Sequence, residues 1–229
     1  NLVWSGKMNI TTLCSDMTVD SNNLSIYKID LNGKKAVINN DVSMDTYSTY
    51  PAEIDLNKGY FIINGNLLQP SGQMYIDGGT LEVNGDYRIQ SYEKNSVTDE
   101  MEYVSSSGYL VMEKSKDIVE IAGDFIIQSN AVDRRSGPIG YYNVSKNVFK
   151  YGTMKVGGDF KQINGTNGTY GDSSNNYTCS EDHTVIFNGT QPQHIYFESL
   201  DSNFNKLVVT NNNLVWSGKM NITTLCSDM

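Results

Sequence analysis

Three aspartates, Asp86, Asp124 and Asp159, each follow a glycine in a recurring phrase, and Asn66 holds the same place one phrase earlier. Carboxylates repeated at one place of a structural series can do two things. They can accept a backbone N–H at each bend, as in an Asx-turn, or share Ca2+ between adjacent turns, because hard oxygen ligands suit that ion. Ionised and stacked without such compensation they would repel. No complete EF-hand loop or calcium-binding nonapeptide occurs. Bend capping is therefore the expectation, with Asp86, Asp124 and Asp159 as the calcium candidates and no cofactor called for.

The other reactive residues do not assemble into catalysis. His183 and His194 are the two histidines, and neither has a Cys or carboxylate at a recognised metal spacing. Both are expected at the surface or at a bend. Ser180, Asp182 and His183 supply the letters of a triad, but no nucleophile elbow accompanies them. One dense charged cluster, Asp133-Arg134-Arg135, lies inside an inserted segment. No enzymatic activity is expected. Cys14, Cys179 and Cys226 are the cysteines. In an oxidising compartment the Cys179–Cys226 pair is the expected disulfide, with two free thiols packed as small apolar groups as the alternative. Asn-x-Ser/Thr sequons begin at Asn9, Asn23, Asn143, Asn164, Asn167, Asn176, Asn188 and Asn221. They matter only if the source glycosylates such sites. Stacked side-chain amides are the structural reading of so many asparagines.

The elements that must carry these residues are strands. Apolar and polar residues alternate at period two in short stretches rich in Ile, Val, Tyr and Phe, interrupted by Asn-Gly or Gly-Gly. One phrase returns as Phe61-Ile-Ile-Asn-Gly65, Leu81-Glu-Val-Asn-Gly85, Val119-Glu-Ile-Ala-Gly123 and Met154-Lys-Val-Gly-Gly158. Echoes surround Gly33, Gly189 and Gly6 with its copy Gly218. These eight glycines are expected at structural corners, where glycine supplies a positive φ or room for a tight bend. They divide the sequence into seven intervals averaging about 30 residues. The expected fold is all-β, a right-handed parallel β-helix (β-solenoid) of about seven turns, roughly 34 Å long at the usual strand spacing. Longer stretches, Ser91 to Gly108, Ser129 to Tyr151 and Asn164 to Asp182, follow the same strand of the phrase. Inserts at one corner of successive turns would pile up on a single flank, which is the candidate contact surface.

Residues 1–17 and 213–229 are the same seventeen letters, NLVWSGKMNITTLCSDM, offset by 212 residues. The natural reading is one 212-residue β-solenoid repeat, 1–212, followed by the start of the next, 213–229; an engineered overlap is the alternative. Either way the unit is expected to stack end to end. The chain begins with Asn and shows no initiator Met or signal peptide, so it is expected to be a piece of something longer. Its net charge is −9. That argues against nucleic acid or an anionic membrane as partner, and no apolar run reaches the length of a membrane helix.

The phrase G-x-L-x-V-x-G-D-[YF] resembles repeats in very large secreted or surface proteins of clostridia-like Firmicutes, which are broadly similar to filamentous-haemagglutinin adhesins. The stretches His183-Thr-Val-Ile-Phe-Asn-Gly189, Gln193-His-Ile-Tyr-Phe197 and Ser202-Asn-Phe-Asn-Lys-Leu207 resemble a further block of those proteins. The resemblance covers residues from about 54 to 210 and implies a right-handed β-helix on the cell surface, with no catalytic residues. A long identical repeat departs from that pattern. The expected function is an extracellular structural fibre or adhesin stalk. Its partners would be itself, end to end, and lateral fibre or cell-surface glycan contacts on the insert flank. The alternatives are a carbohydrate-binding or carbohydrate-cleaving β-helix, and a non-covalent head-to-tail filament subunit.

Overall fold

A computed structural model describes residues 2–4, 6–44, 51–130, 147–167 and 171–226. Every regular element among them is a strand. The period-two alternation sets this locally: Lys35–Ile38, Tyr60–Ile63, Thr80–Val83, Thr153–Val156 and Thr184–Phe187 all bury every second side chain. These strands, with Leu2–Val3, Met17–Asp20, Ile118–Ile121, Phe204–Val209 and Ile222–Leu225, form a ten-stranded sheet. Every pairing in it is parallel.

A thirteen-stranded parallel sheet stands beside it and divides into two arms. The strand Leu24–Asp30 is the hinge, because Leu24–Ile26 pairs with Val42–Met44 while Lys28–Asp30 pairs with Glu53–Asp55. The first arm continues through Leu67–Leu68, Tyr87–Ile89, Phe125–Ile127, Phe160–Gln162, Gln193–Phe197 and Leu214–Gly218. The second continues through Gln73–Tyr75, Tyr109–Met112 and Val148–Phe149. The chain therefore visits three rows in a fixed order: ten-stranded sheet, first arm, second arm, and back.

Register converts the repeated phrase into buried columns. Ala36, Phe61, Leu81, Val119, Met154, Val185 and Leu207 are successive partners in the ten-stranded sheet, all buried. Val42, Leu67, Tyr87, Phe125, Phe160 and Ile195 make the matching buried column of the first arm. One apolar cluster runs from Met8 to Leu207. Each fully buried aliphatic or aromatic side chain contributes roughly 1.5–3 kcal/mol.

Two kinds of bend join the rows, and they correct the glycine reading. Gly6, Gly65, Gly85, Gly123, Gly158 and Gly189 lie between a strand of the ten-stranded sheet and one of the first arm. Gly33 lies instead between the second arm and the ten-stranded sheet, with Gly218 closing a first-arm strand. Three first-type bends have no glycine, at 21–23, 39–41 and 210–213, so glycine spacing undercounts the strands. The two bends also need glycine for different reasons. Gly33 (φ 74°) follows Asn32 (φ 49°), and Asn57, Lys58, Asp77 and Gly78 repeat that left-handed geometry. The column Gly65, Gly85, Gly123, Gly158 has no positive φ; a Cβ on Gly85 would lie 2.8 Å from the Gly65 carbonyl oxygen, and one on Gly123 2.7 Å from that of Gly85. Closeness of neighbouring backbones, not handedness, selects glycine there.

Candidate functional site

The carboxylates at the first bend form a ladder. Asp41 Oδ1 accepts the N–H of Asn66 at 2.6 Å, and Asn66 Oδ1 accepts that of Asp86 at 2.8 Å. Asp86, Asp124 and Asp159 then accept the N–H groups of Asp124, Asp159 and His194 at 2.9, 2.8 and 2.8 Å. Each side chain thus caps the next strand's residue, where an Asx-turn would cap its own bend. One oxygen of every carboxylate is committed to backbone. Asp86 Oδ2 also accepts Arg88 at 2.9 Å. Burial lifts the Asp124 pKa above its usual value and the flanking Asp86 and Asp159 charges push the same way, opposed by the Asp159 N–H. Among the described residues no three His, Cys, Asp or Glu side chains are grouped to hold a metal ion. Beside this column runs an amide ladder, in which Asn39 donates to Asp20, Asn64 to Asn39 and Asn84 to Asn64, the last two at 2.9 Å.

The three inserts leave from Tyr87–Ile89, Phe125–Ile127 and Phe160–Gln162, which are neighbours in the first arm. The first holds an antiparallel hairpin, Ser91–Lys94 against Met101–Val104. Its Tyr92 and Tyr103 rings meet at a tilt with centroids 4.8 Å apart, Arg88 lies 4.7 Å over Tyr103, and Val97 at the tip is 91% exposed. The third holds the hairpin Gly165–Asn167 against Gly171–Ser173. The two meet where Ser105 Oγ accepts the Thr166 N–H at 2.7 Å. Asp133, Arg134 and Arg135 of the second insert, and the sequon at Asn143, lie outside the described residues. Next to this flank is an open groove of about 580 Å3 lined by Asp159, Lys161, His194, Tyr196 and Glu198. Both its carboxylates are engaged: Asp159 caps His194, and Glu198 Oε2 accepts the Asn164 N–H at 2.7 Å.

His183, expected at the surface or at a bend, is fully buried and lies at the bend just before Thr184–Phe187, its N–H donating to the Ser180 carbonyl. Its Nδ1 lies 2.9 Å from the Tyr151 carbonyl oxygen, Nε2 has no partner among the described residues, and burial lowers its pKa to about 4. Asp182 pairs with Lys206 at 2.7 Å rather than orienting the imidazole. The Cys179–Cys226 disulfide is not formed; all three cysteines are free. Cys179 is buried beside the Phe149 row, where burial raises its thiol to about 12. Cys226 is exposed and follows the outermost strand, its N–H on the Leu207 carbonyl. Asn176 is buried and bonded to the Ile163 carbonyl at 2.7 Å, which withdraws that sequon from modification in the folded chain.

At both ends the duplicated letters are paired as strands with one edge open. Leu2–Val3 borders the ten-stranded sheet, while Leu214–Gly218 and Ile222–Leu225 border the first arm and the ten-stranded sheet. Leu2, Val3, Val215, Met220 and Leu225 are exposed apolar side chains at these edges. Trp216 stacks on Phe197 at 5.7 Å. A scan against protein-family models, a search of curated proteins and a search of solved structures found no match.

Proposed function

We propose that the chain is one unit of an extracellular structural fibre or adhesin stalk, a right-handed three-sided β-solenoid built from tandem 212-residue repeats and lacking enzymatic activity. The observation that carries this reading is the pairing of one identical seventeen-residue sequence into parallel sheets at both ends. Each copy leaves an unpaired strand edge and exposed apolar side chains. Such edges invite another strand, and a following unit would supply it. Nine strands from Leu2–Val3 to Phe204–Val209 in the ten-stranded sheet mean eight circuits per unit, so a unit would span about 40 Å at the parallel-strand spacing. The first and third inserts, which meet at Ser105 and Thr166, are the surface for lateral or cell-surface glycan contacts.

The mass of the parent chain under denaturing, reducing conditions tests this. Many multiples of one unit are expected. A mass near that of a single unit would replace the covalent fibre with a head-to-tail assembly. The groove beside Tyr196 favours one second reading, a carbohydrate-binding face. Measurable binding of soluble glycans by the isolated chain, lost in Tyr196→Ala, would establish it.

A further inference from the structure

The two copies of the duplicated segment occupy different rows. Leu2 pairs with Val19 in the ten-stranded sheet, whereas its copy Leu214 pairs with Gln193 in the first arm. Ile10 pairs with Ile29 in the part of Leu24–Asp30 that faces the second arm, whereas Ile222 pairs with Phe204 in the ten-stranded sheet. Leu13 donates its N–H to the Asp30 carbonyl at the second arm, whereas Leu225 pairs with Leu207 in the ten-stranded sheet. All three comparisons advance by one row in the order the chain visits them. A local slip of one strand would not move three separated positions alike.

We propose that successive units of the array are rotated by one row about the axis, so that 212 residues make eight circuits and a third. The inference rests on the tandem-solenoid reading. It follows from chain continuity. Phe204–Val209 lies in the ten-stranded sheet, and the short link to Leu214 reaches only the next row, the first arm. A unit started there repeats its own internal pairings, Leu214 to the residue equivalent to Val19, one row further round. The partner accepted by the open edges at Leu214–Gly218 and Ile222–Leu225 is thus a second copy of the chain docked with a one-row offset.

The offset has a functional consequence. The insert flank leaves from one row, the first arm. In an unrotated array it would form a single stripe. With the offset, the hairpin Ser91–Lys94/Met101–Val104 is presented on three sides in turn, and the orientation recurs every third unit. The fibre would then engage partners all around its circumference, with many weak contacts adding as avidity.

Fab fragments raised against residues 91–104, bound to the parent chain and imaged by electron cryomicroscopy, test the offset. Successive Fabs are expected to advance on the order of 120° per unit, with a rise of about 40 Å set by the strand spacing. Fabs in a single line along an intact rod would overturn the rotation and leave the fibre standing. Separate beads in place of a rod would overturn the tandem-solenoid reading and the rotation with it.

Discussion

The stretch before Gln69 and the stretch after Tyr87 use the same three rows of strands but fill them differently. Of the nine fully buried large aromatic side chains among the described residues, only Phe61 precedes Tyr87. The rest form a connected pile, with Phe160 touching Phe125, Tyr177, Phe187, Phe197 and Phe204. The buried polar side chains among the described residues begin at Gln69. The early stretch pairs its strands in parallel ladders, with a register shift between Met8 and Asn9, and packs mainly Val, Leu, Ile, Met and Ala between them. In the later stretch the second arm stops at Val148–Phe149 and, among the described residues, is continued by single bridges, Phe149 to Cys179 and Thr178 to Asn203. Buried amides add bonds at its bends: Gln162 accepts the Glu198 and Ser199 N–H groups, and Gln193 accepts the Gly189 N–H and donates to the Val156 carbonyl. An irregular backbone is tolerated where aromatic volume and buried amides replace the missing ladder.

The sharpest way to break the contrast is Phe160→Ala, expected to cost about 3–5 kcal/mol in urea unfolding, against roughly 0.5–1.5 kcal/mol for Ile63→Val in the aliphatic stretch. Comparable losses at the two positions would dismiss the aromatic pile as a separate source of stability.

Acid should weaken the aromatic stretch through His183. Its folded pKa of about 4 lies below the ordinary 6.5, so the unfolded chain takes the proton first. Stability is complete above pH 6.5 and falls as pH drops toward 4, by up to about 3 kcal/mol. Burial raises Asp55, Asp117 and Asp124, which act in the opposite direction as they protonate. The difference between the native chain and His183→Leu across pH 4–6.5 isolates the imidazole, and parallel profiles for the two would refute its role.

Gln193→Leu takes the side-chain acceptor from the Gly189 N–H, at roughly 1–3 kcal/mol, while the Val156 carbonyl keeps the Asn188 N–H. Asn64→Ala in the exposed amide ladder should cost less, and unfolding midpoints compare them. The smallest effect belongs to Asp124→Asn. An amide oxygen still caps Asp159, as Asn66 caps Asp86, while a like charge between Asp86 and Asp159 disappears. Stability at neutral pH should rise within about 0.5 kcal/mol. A loss above 1 kcal/mol would mean that the charge itself is needed, as a bound cation would require.

The strands were legible wherever alternation ran into a glycine, as at Leu81 to Gly85, because period two fixes which side chains are buried. Bends built from Asn39-Asn40-Asp41 were not, since Asn40 fills the place that glycine takes in later bends. Ile29-Asp-Leu-Asn-Gly33 carries the same letters as the phrase but lies at the other bend, because Asn-Gly suits a left-handed turn as well as a close approach. Capping by Asp86, Asp124 and Asp159 was readable as chemistry, but its direction, onto the neighbouring strand, depends on register. The burial of His183 had no local sign, since Phe149 and Tyr151, which enclose it, come from the preceding circuit.

The central claim is that one core runs unbroken through unit after unit. Electron cryomicroscopy of the parent chain tests it most directly. The account predicts a continuous rod with strand layers 4.7–4.9 Å apart along its axis and one 212-residue unit every 40 Å or so. Discrete globular beads joined by linkers would contradict it.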